Sequence, residues 1–324
     1  MVFMSKTRRA ISLLAASAPV LLAAACGASG VTGQAASQPG QLDIVAAFYP
    51  FQFVAERVAG PYATVSNLTS PGAEPHDLEL TPRQVAELST ADLVIYQHSF
   101  QAAVDEAVGQ SGVNNALDTA TVVALQPLDA PDDHGHGDAE HGDEGHDDQH
   151  GGLDPHVWLD PSQLGTIATE VARRLGEIEP AHRADFDANA RALTDQLGAL
   201  DQEFRQGLSN CARQEFVTTH AAFGYLARRY QLEQLPISGL SPEAEPSPAR
   251  LAEIQQETRE HQITTVFYET LVSPAVAESL AADLGLKTDV LDPIEGITDQ
   301  SRGTDYVAVM QANVAALIKA NECR

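Results

Sequence analysis

Residues 180–208, PAHRADFDANARALTDQLGALDQEFRQGL, form one long helix pattern in the middle of the chain. Apolar residues recur on one stripe at helical spacing, at Phe186, Leu193, Leu197, Leu200, Phe204 and Leu208. At about 1.5 Å per residue, a helix over this stretch would be roughly 43 Å long, enough to cross a whole domain. We therefore expect a stiff connector between the segments that fold before and after it.

A second helix pattern leads into this connector. Its apolar face consists of Leu164, Ile167, Ala168, Val171, Ala172, Leu175 and Ile178. Asp160 is placed to cap its start, and Pro180 marks a break and a restart between the two helices. We therefore assign residues 163–209 to connecting helices.

Short apolar runs alternate with helix patterns on both sides of the connector. The predicted strands are LDIVAAF (42–48), ATVSNL (63–68), DLVIY (92–96), TVVAL (121–125), EFVTT (215–219), TTVFY (264–268) and KTDVL (287–291). The predicted helices are 50–60, 81–89, 101–109, 222–230, 247–261, 273–285 and 304–320. This alternation indicates parallel sheets covered by helices. The predicted fold is α/β: two lobes, 41–162 and 210–324, each with a parallel four-stranded sheet flanked by helices, joined by one long rigid helix.

Length and charge narrow the possible function classes. The chain has 324 residues, a formal net charge of −26 and a pI of about 4.5. The length suits one large domain or two of ordinary size. Nucleic acid is excluded as a partner because neutralising phosphates needs clustered Lys and Arg. An acidic balance favours cations instead.

The N-terminus has the features of an export signal. A basic start is followed by ISLLAASAPVLLAAA, an apolar run too short to span a membrane, so we predict a signal peptide over residues 1–25. Cys26 follows small residues as in a bacterial lipobox, although Ala23 stands where Leu is usual. We expect a lipid on Cys26, with ordinary cleavage nearby as the alternative, and a flexible tether over residues 26–40.

Two further cysteines lie in the second half of an exported chain. Cys211 and Cys323 could form one disulfide in an oxidising compartment, closing a loop of about 110 residues. The alternative is two unrelated free thiols.

Histidines and carboxylates are concentrated in residues 131–152, a low-complexity stretch with no apolar run to bury. Its histidines are His134, His136, His141, His146 and His150. The composition predicts a disordered loop. Imidazole and carboxylate both bind divalent metals such as zinc, so these histidines are candidate auxiliary ligands. The alternative is a plain solvated loop.

Four potential metal ligands follow predicted strands. His76 follows ATVSNL, His156 follows the acidic loop after TVVAL, His220 ends EFVTT, and Asp292 ends KTDVL. Ligands of open α/β sheets bind outside the carboxyl ends of strands, so these residues would meet in one metal cleft between the lobes. Three imidazoles and one carboxylate suit tetrahedral zinc and leave no open position, which indicates storage or carriage.

Each of these four residues also has a structural alternative. His76 could cap a helix, His156 could pack beside Trp158, and His220 could bond to backbone. Asp292 precedes a proline and is a good turn former.

Signatures of an enzyme are missing, since the chain has no HExxH, GxSxG, Walker loop or dinucleotide glycine fingerprint. Glu269 ends a predicted strand and could support a ligand, and Glu74 or Glu269 could act as the base of a zinc hydrolase. We expect a protein that is not an enzyme.

Six segments are similar to one known family. They are PGAEPHDLELTP (71–82), DPHVWLDP (154–161), VTTHAAFGYLARRY (217–230), GLSPEAEPSPARLAEI (239–254), FYETLVSP (267–274) and LDPIEG (291–296). From Leu42 to the C-terminus the chain resembles the cluster A-I (cluster 9) metal-binding proteins of bacterial ABC importers, specifically the zinc branch of ZnuA-like proteins. The resemblance implies two lobes joined by a rigid helix, with metal held by His76, His156 and His220 and by Asp292 or a water. A third imidazole at His220 favours zinc over manganese, because manganese-type relatives carry a carboxylate there.

The resemblance also implies a function. It is that of a monomeric, extracytoplasmic solute-binding protein, periplasmic or lipid-anchored to the outer face of the cytoplasmic membrane. This protein would capture Zn²⁺ and deliver it to an ABC permease that works with a cytoplasmic ATPase. The alternatives are an extracellular metal buffer or adhesin-like surface lipoprotein that binds zinc or manganese, and a zinc hydrolase. Because imidazoles must be neutral to bind metal, we expect affinity to fall below about pH 6.5.

Overall fold

The computed structural model describes residues 40–113, 115–128 and 152–324. The predicted signal peptide, Cys26 and the five loop histidines lie outside the described residues. None of the described helices has the length and hydropathy that crossing a membrane requires. The described residues all belong to one compact unit.

The N-terminal sheet is parallel and has four strands. These are β1 (Leu42–Ala46), β2 (Ala63–Asn67), β3 (Leu93–Tyr96) and β4 (Ala116–Asp118), with α1 (Tyr49–Ala59), α2 (Pro82–Thr90) and α3 (Ala102–Ser111) between them. The strand order is β2-β1-β3-β4. The central strands are apolar and buried over most of their length, from Ile44 to Ala46 in β1 and from Leu93 to Ile95 in β3, as expected where helices cover both faces of a parallel sheet.

Two short segments join this sheet to the connecting helices. Strands β5 (Gln126–Pro127) and β6 (Leu153–Asp154) pair antiparallel, with Gln126 opposite Asp154. A short helical turn, Val157–Leu159, follows, and all three of its side chains are buried. This arrangement brings His156 into the interior of the protein.

The two connecting helices are α4 (Pro161–Ile178) and α5 (Arg183–Gly207). Asp160 caps α4, its side chain accepting a hydrogen bond from the Ser162 N–H. Helix α5 has 25 residues and is therefore about 38 Å long. Its buried stripe consists of Phe186, Ala190, Leu193, Leu197, Leu200 and Phe204. The predicted long helix is confirmed.

The C-terminal sheet repeats the architecture of the first. Its strands are β7 (Glu215–Thr218), β8 (Glu233–Pro236), β9 (Thr265–Tyr268) and β10 (Lys287–Val290), and its helices are α6 (Gly224–Tyr230), α7 (Pro248–Glu260), α8 (Ala275–Leu284) and α9 (Tyr306–Ala320). The strands are parallel in the order β10-β9-β7-β8. Two four-stranded parallel sheets and one long helix confirm the predicted α/β fold class, while the exact lobe boundaries stay a prediction.

One predicted strand is absent from the four-stranded sheets, and two of their strands, β4 and β8, were not predicted. The run TVVAL (121–125) is not a strand, because the fourth strand is β4 and the Asp118 side chain caps a helical turn directly after it. Strand β8 was not predicted, since its sequence EQLP is polar and ends in Pro236. Proline removes a ladder hydrogen bond and is tolerated here because β8 is an edge strand.

One disulfide is present in the described part of the chain. It joins Cys211 to Cys323, 112 residues apart, with an Sγ–Sγ distance of 1.95 Å. The pairing predicted from the sequence is therefore confirmed. It ties the end of the chain to the segment between α5 and β7.

Candidate metal centre

His76 lies in the long loop between β2 and α2. Its main-chain N–H donates a hydrogen bond of 3.1 Å to Oε1 of Glu74. The side chain is 10% exposed, and its ring packs edge-on against Phe100 at 4.6 Å between centroids. The loop therefore presents this imidazole to the interior while one part of it still reaches solvent.

His156 follows β6 and is completely buried. Both its main-chain N–H and its Nδ1 lie within hydrogen-bond distance of Oδ1 of Asp154, at 2.9 and 2.8 Å. A carboxylate that accepts from Nδ1–H holds the proton there and leaves Nε2 free to bind a metal. Asp154 thereby fixes both the orientation and the tautomer of this ring.

His220 follows β7 and is also completely buried. Its Nδ1 lies 2.6 Å from Oε1 of Glu269, the residue directly after β9. The hydroxyl of Thr219 donates a hydrogen bond to the same carboxylate oxygen. His220 is thus oriented by a neighbouring carboxylate in the same way as His156.

A buried carboxylate completes the site. Glu295, in the segment after β10, is 1% exposed, and its Oε1 lies 3.4 Å from Nε2 of His76, 3.4 Å from Nε2 of His156 and 3.5 Å from Nε2 of His220. One ligand atom from each of the four residues lies within 4.8 Å of the others. Within the part of the chain that the structure describes, this is the only such group of metal-binding side chains.

The charges in the centre shift its proton affinities. Burial lowers the pKa of His220, but Glu269 and Glu295 outweigh it and raise that pKa to about 10. Burial also lowers the pKa of His156. The contacts with Asp154 and Glu295 raise this pKa by more, so it lies above its usual value. For Glu295, burial raises the pKa, yet the three imidazoles hold it well below the usual range. The centre therefore binds positive charge strongly.

The residues present fit a metal of zinc type. Nε2 of His156 and Nε2 of His220 are buried and have no hydrogen-bond partner among the described residues. A buried nitrogen without a partner is costly unless a further group binds it. Three imidazole nitrogens and one carboxylate oxygen are the number and type of ligands that tetrahedral Zn²⁺ takes.

The structure brings three of the four predicted ligands together and places the fourth elsewhere. His76, His156 and His220 meet, but the carboxylate among them is Glu295, where the sequence analysis expects Asp292. Oδ1 of Asp292 accepts from the Ile294 N–H and Oδ2 accepts from the Thr270 hydroxyl. These bonds shape the loop that carries Glu295, and burial raises the pKa of Asp292.

Sequence reasoning did not identify Glu295 as a candidate ligand. It lies in LDPIEG, one of the six similar segments, but five residues beyond the last residue of β10. The sequence analysis assigns the carboxylate to Asp292, which directly follows KTDVL, and so passes over Glu295 in the same loop. Glu269 is at a strand end and contacts His220, whereas Glu74 contacts the backbone of His76.

Comparison with known proteins identifies the family. The family model described as zinc-uptake complex component A, periplasmic, matches residues 44–320. The zinc-binding lipoprotein AdcA of Streptococcus pneumoniae serotype 4 is 37% identical over 317 residues, which cover 95% of this chain and 60% of AdcA. The high-affinity zinc uptake system protein ZnuA of Bacillus subtilis is 32% identical over 301 residues, covering 92% of this chain and 93% of that protein.

Solved structures agree with this result. The Zn(II)-bound ZnuA-like domain of Streptococcus pneumoniae AdcA superposes with a TM-score of 0.71 at 33% identity, covering 87% of this chain and 100% of that one. The laminin-binding protein Lmb of Streptococcus agalactiae, described as bifunctional with adhesin and metal transporting activity, superposes with a TM-score of 0.74 at 30% identity, covering 86% and 99%. The chain spans about three fifths of the length of AdcA, the part that corresponds to its ZnuA-like domain. Because the family model spans residues 44–320, the chain belongs to the ZnuA family of zinc-uptake complex component A proteins.

Proposed function

We propose that this protein captures Zn²⁺ outside the cytoplasm and delivers it to an ABC-type permease. The observation that carries the proposal is the set of three imidazoles and one carboxylate converging on one point, two of the imidazoles being held from behind by further carboxylates. The similarity to proteins named for zinc uptake supports the same conclusion.

The proposed ligands are His76, His156, His220 and Glu295. Four protein ligands fill the coordination of zinc, so we propose binding without turnover. Of the four side chains, that of His76 is 10% exposed and the other three are at most 1% exposed. His76 would therefore be the first contact for an arriving ion and the last for a departing one. Asp292 would act on the loop around Glu295 instead of on the metal.

Other parts of the proposal concern residues outside the described ranges. We propose export through the signal peptide 1–25 and attachment of a monomer to the membrane through a lipid on Cys26. The histidines of the loop 131–152 would supply weak, exchanging contacts that raise the local zinc concentration beside the cleft. The partner would be a permease that works with a cytoplasmic ATPase.

The test is zinc binding by chelator competition on the mature protein. The variants are a deletion of residues 132–151, His220→Ala, and His261→Ala as a control whose imidazole pairs with Glu215 near the surface. We expect one tight site in the wild type, the deletion and the control, and its loss in His220→Ala. If tight binding disappears with the loop and persists in His220→Ala, the proposed cleft is wrong.

An adhesin-like surface lipoprotein is a second candidate, favoured by the adhesin activity named for the similar Streptococcus agalactiae protein. Two measurements separate the candidates: restoration of zinc uptake in a strain that lacks its own binding protein, and adhesion of the purified protein to immobilised laminin. Uptake without adhesion supports the importer, and adhesion without uptake supports the second candidate.

A further inference from the structure

The main chain beside two of the proposed ligands is held by buried glutamines. Nε2 of Gln101 donates a hydrogen bond of 3.1 Å to the carbonyl of Pro75, directly before His76. Nε2 of Gln97 donates to the carbonyl of Pro155, directly before His156. Both glutamines are 2% exposed and lie in the short segment between β3 and α3. The segment between β3 and α3 therefore contacts two ligand loops that are far apart in sequence.

The same arrangement recurs at the other two ligands. The indole Nε1–H of Trp158 donates a hydrogen bond of 2.7 Å to the carbonyl of Pro293, two residues before Glu295. Nε2 of Gln234 donates a bond of 2.8 Å to the carbonyl of His220 itself. Every proposed ligand thus lies within two residues of a carbonyl that accepts from a side-chain N–H.

Proline explains why the carbonyl is the group that is held. Proline has no N–H, so the carbonyl is its only main-chain hydrogen-bonding group. In both Pro-His pairs the next N–H, that of the histidine, already donates to a carboxylate, Glu74 for His76 and Asp154 for His156. Each proline carbonyl already accepts one main-chain hydrogen bond, from Leu78 N–H at Pro75 and from Val157 N–H at Pro155, and the neutral carboxamide adds a second one without adding charge beside the metal centre.

Both glutamines are themselves oriented by further hydrogen bonds. Gln101 also donates to Oγ1 of Thr69 at 3.0 Å, and Oε1 of Gln97 accepts from the Thr119 hydroxyl at 3.2 Å. A side chain held by two hydrogen bonds loses little further freedom when it positions a neighbour. These contacts make the glutamines rigid supports for the loops.

We propose that Gln97 and Gln101 are positioning residues that set the spacing of His76 and His156 and thereby favour zinc over manganese. The proposal rests on the proposed zinc function. Zinc takes a compact tetrahedral set of ligands, whereas manganese takes more ligands and suits oxygen. A loosened pair of loops therefore penalises zinc more than manganese.

The test uses Gln97→Met and Gln101→Met in the mature protein, since methionine keeps the length of glutamine and removes the donor. Asn189→Leu is the matched control, because Nδ2 of Asn189 donates a bond of 3.0 Å to the carbonyl of Val58 away from the metal centre. Dissociation constants for Zn²⁺ and Mn²⁺ are measured by chelator competition. The visible absorption of bound Co²⁺ reports whether the ligand geometry is tetrahedral.

We expect each glutamine variant to bind zinc about 10- to 100-fold more weakly, with a smaller loss for manganese and weaker cobalt bands. The control Asn189→Leu should lose about as much melting temperature as the glutamine variants. It should nevertheless keep the wild-type selectivity for zinc over manganese and the wild-type cobalt spectrum. Folded glutamine variants with wild-type zinc-to-manganese ratio and cobalt spectrum would overturn the proposal, as would a control that changes both. If Gln97→Met does not fold, Gln101→Met decides by the same criteria. Failure of the wild type to bind zinc tightly would instead refute the proposed function.

Discussion

Zinc binding by this protein should depend on pH well above the range in which free imidazole titrates. The sequence alone predicts a loss of affinity below about pH 6.5. In the folded protein, Glu269 and Glu295 raise the pKa of His220 to about 10, and the pKa of His156 is raised too. The His220 ring therefore holds an extra proton near neutral pH when no metal is bound, and zinc must displace it.

The magnitude follows from the raised pKa. At pH 7 a group with a pKa of about 10 is neutral in roughly one molecule in a thousand, which weakens zinc binding by about 4 kcal/mol relative to the fully neutral site. The sign is clear: because the protonated form excludes metal, affinity rises with pH up to about 10 and falls as pH decreases. His220 alone contributes a slope of about one logarithmic unit of affinity per pH unit, and His156 adds to it below its own raised pKa.

The assay is chelator competition from pH 6 to 9, corrected for protonation of the chelator. Calorimetry in buffers of different ionisation enthalpy counts the released protons. Glu269→Gln should reduce the slope between pH 7 and 9 by up to about one unit, since it removes one of the two carboxylates that raise the pKa of His220 and leaves Glu295 in place. Glu215→Gln is the control. It removes the carboxylate that pairs with His261 near the surface and should leave the slope unchanged. An affinity that is constant between pH 7 and 9, with no proton released, would refute this reasoning.

Three other predictions follow from the site and its supports. Glu295→Gln should weaken zinc binding about 100-fold and Asp292→Asn less than about tenfold, because only the first carboxylate faces the imidazoles; the reverse order in a competition assay would restore Asp292 as the ligand. Gly224→Ala should weaken zinc binding about tenfold, since the added Cβ would lie 2.5 Å from Oδ2 of Asp154 and displace that carboxylate. The control Gly198→Ala, whose added Cβ has nothing within 4 Å, should leave the zinc affinity measured by titration unchanged. Reducing the disulfide, which spans 112 residues, should lower the free energy of unfolding by about 5 kcal/mol in urea denaturation without changing zinc affinity, and a loss below about 1 kcal/mol would contradict this.

The sequence predicts the helical connector well and the short strands less well. Helices α4 and α5 are long and keep an apolar stripe over many turns, so their periodicity is unambiguous. Strand β4 has three residues and β8 is a polar edge strand, so neither carries enough pattern to be recognised. The run TVVAL has the composition of a strand, but the capped turn after Asp118 overrides that propensity.

The candidate site was predictable where ligands directly follow strands. His220 lies two residues after β7, so topology alone indicates its place. Glu295 lies within an irregular loop. Its approach to the imidazoles depends on the hydrogen bond that the Asp292 carboxylate accepts from the Ile294 N–H and the one that the Trp158 indole donates to the Pro293 carbonyl, and no local pattern shows either. A buried carboxylate is also unfavourable without partners, so only the assembled structure explains it.

Helix α5 has a consequence for how a partner could distinguish loaded from empty protein. The same helix contacts α1 through the bond from Asn189 to Val58 and α9 through the bond from Gln311 to Glu203. A closing motion of the whole protein around the metal would have to bend helix α5 or break one of these two hydrogen bonds. We therefore expect nearly identical X-ray scattering from the two forms. Under the proposed function, the permease could then not tell the two forms apart by overall shape, and would have to recognise the few side chains around the metal site.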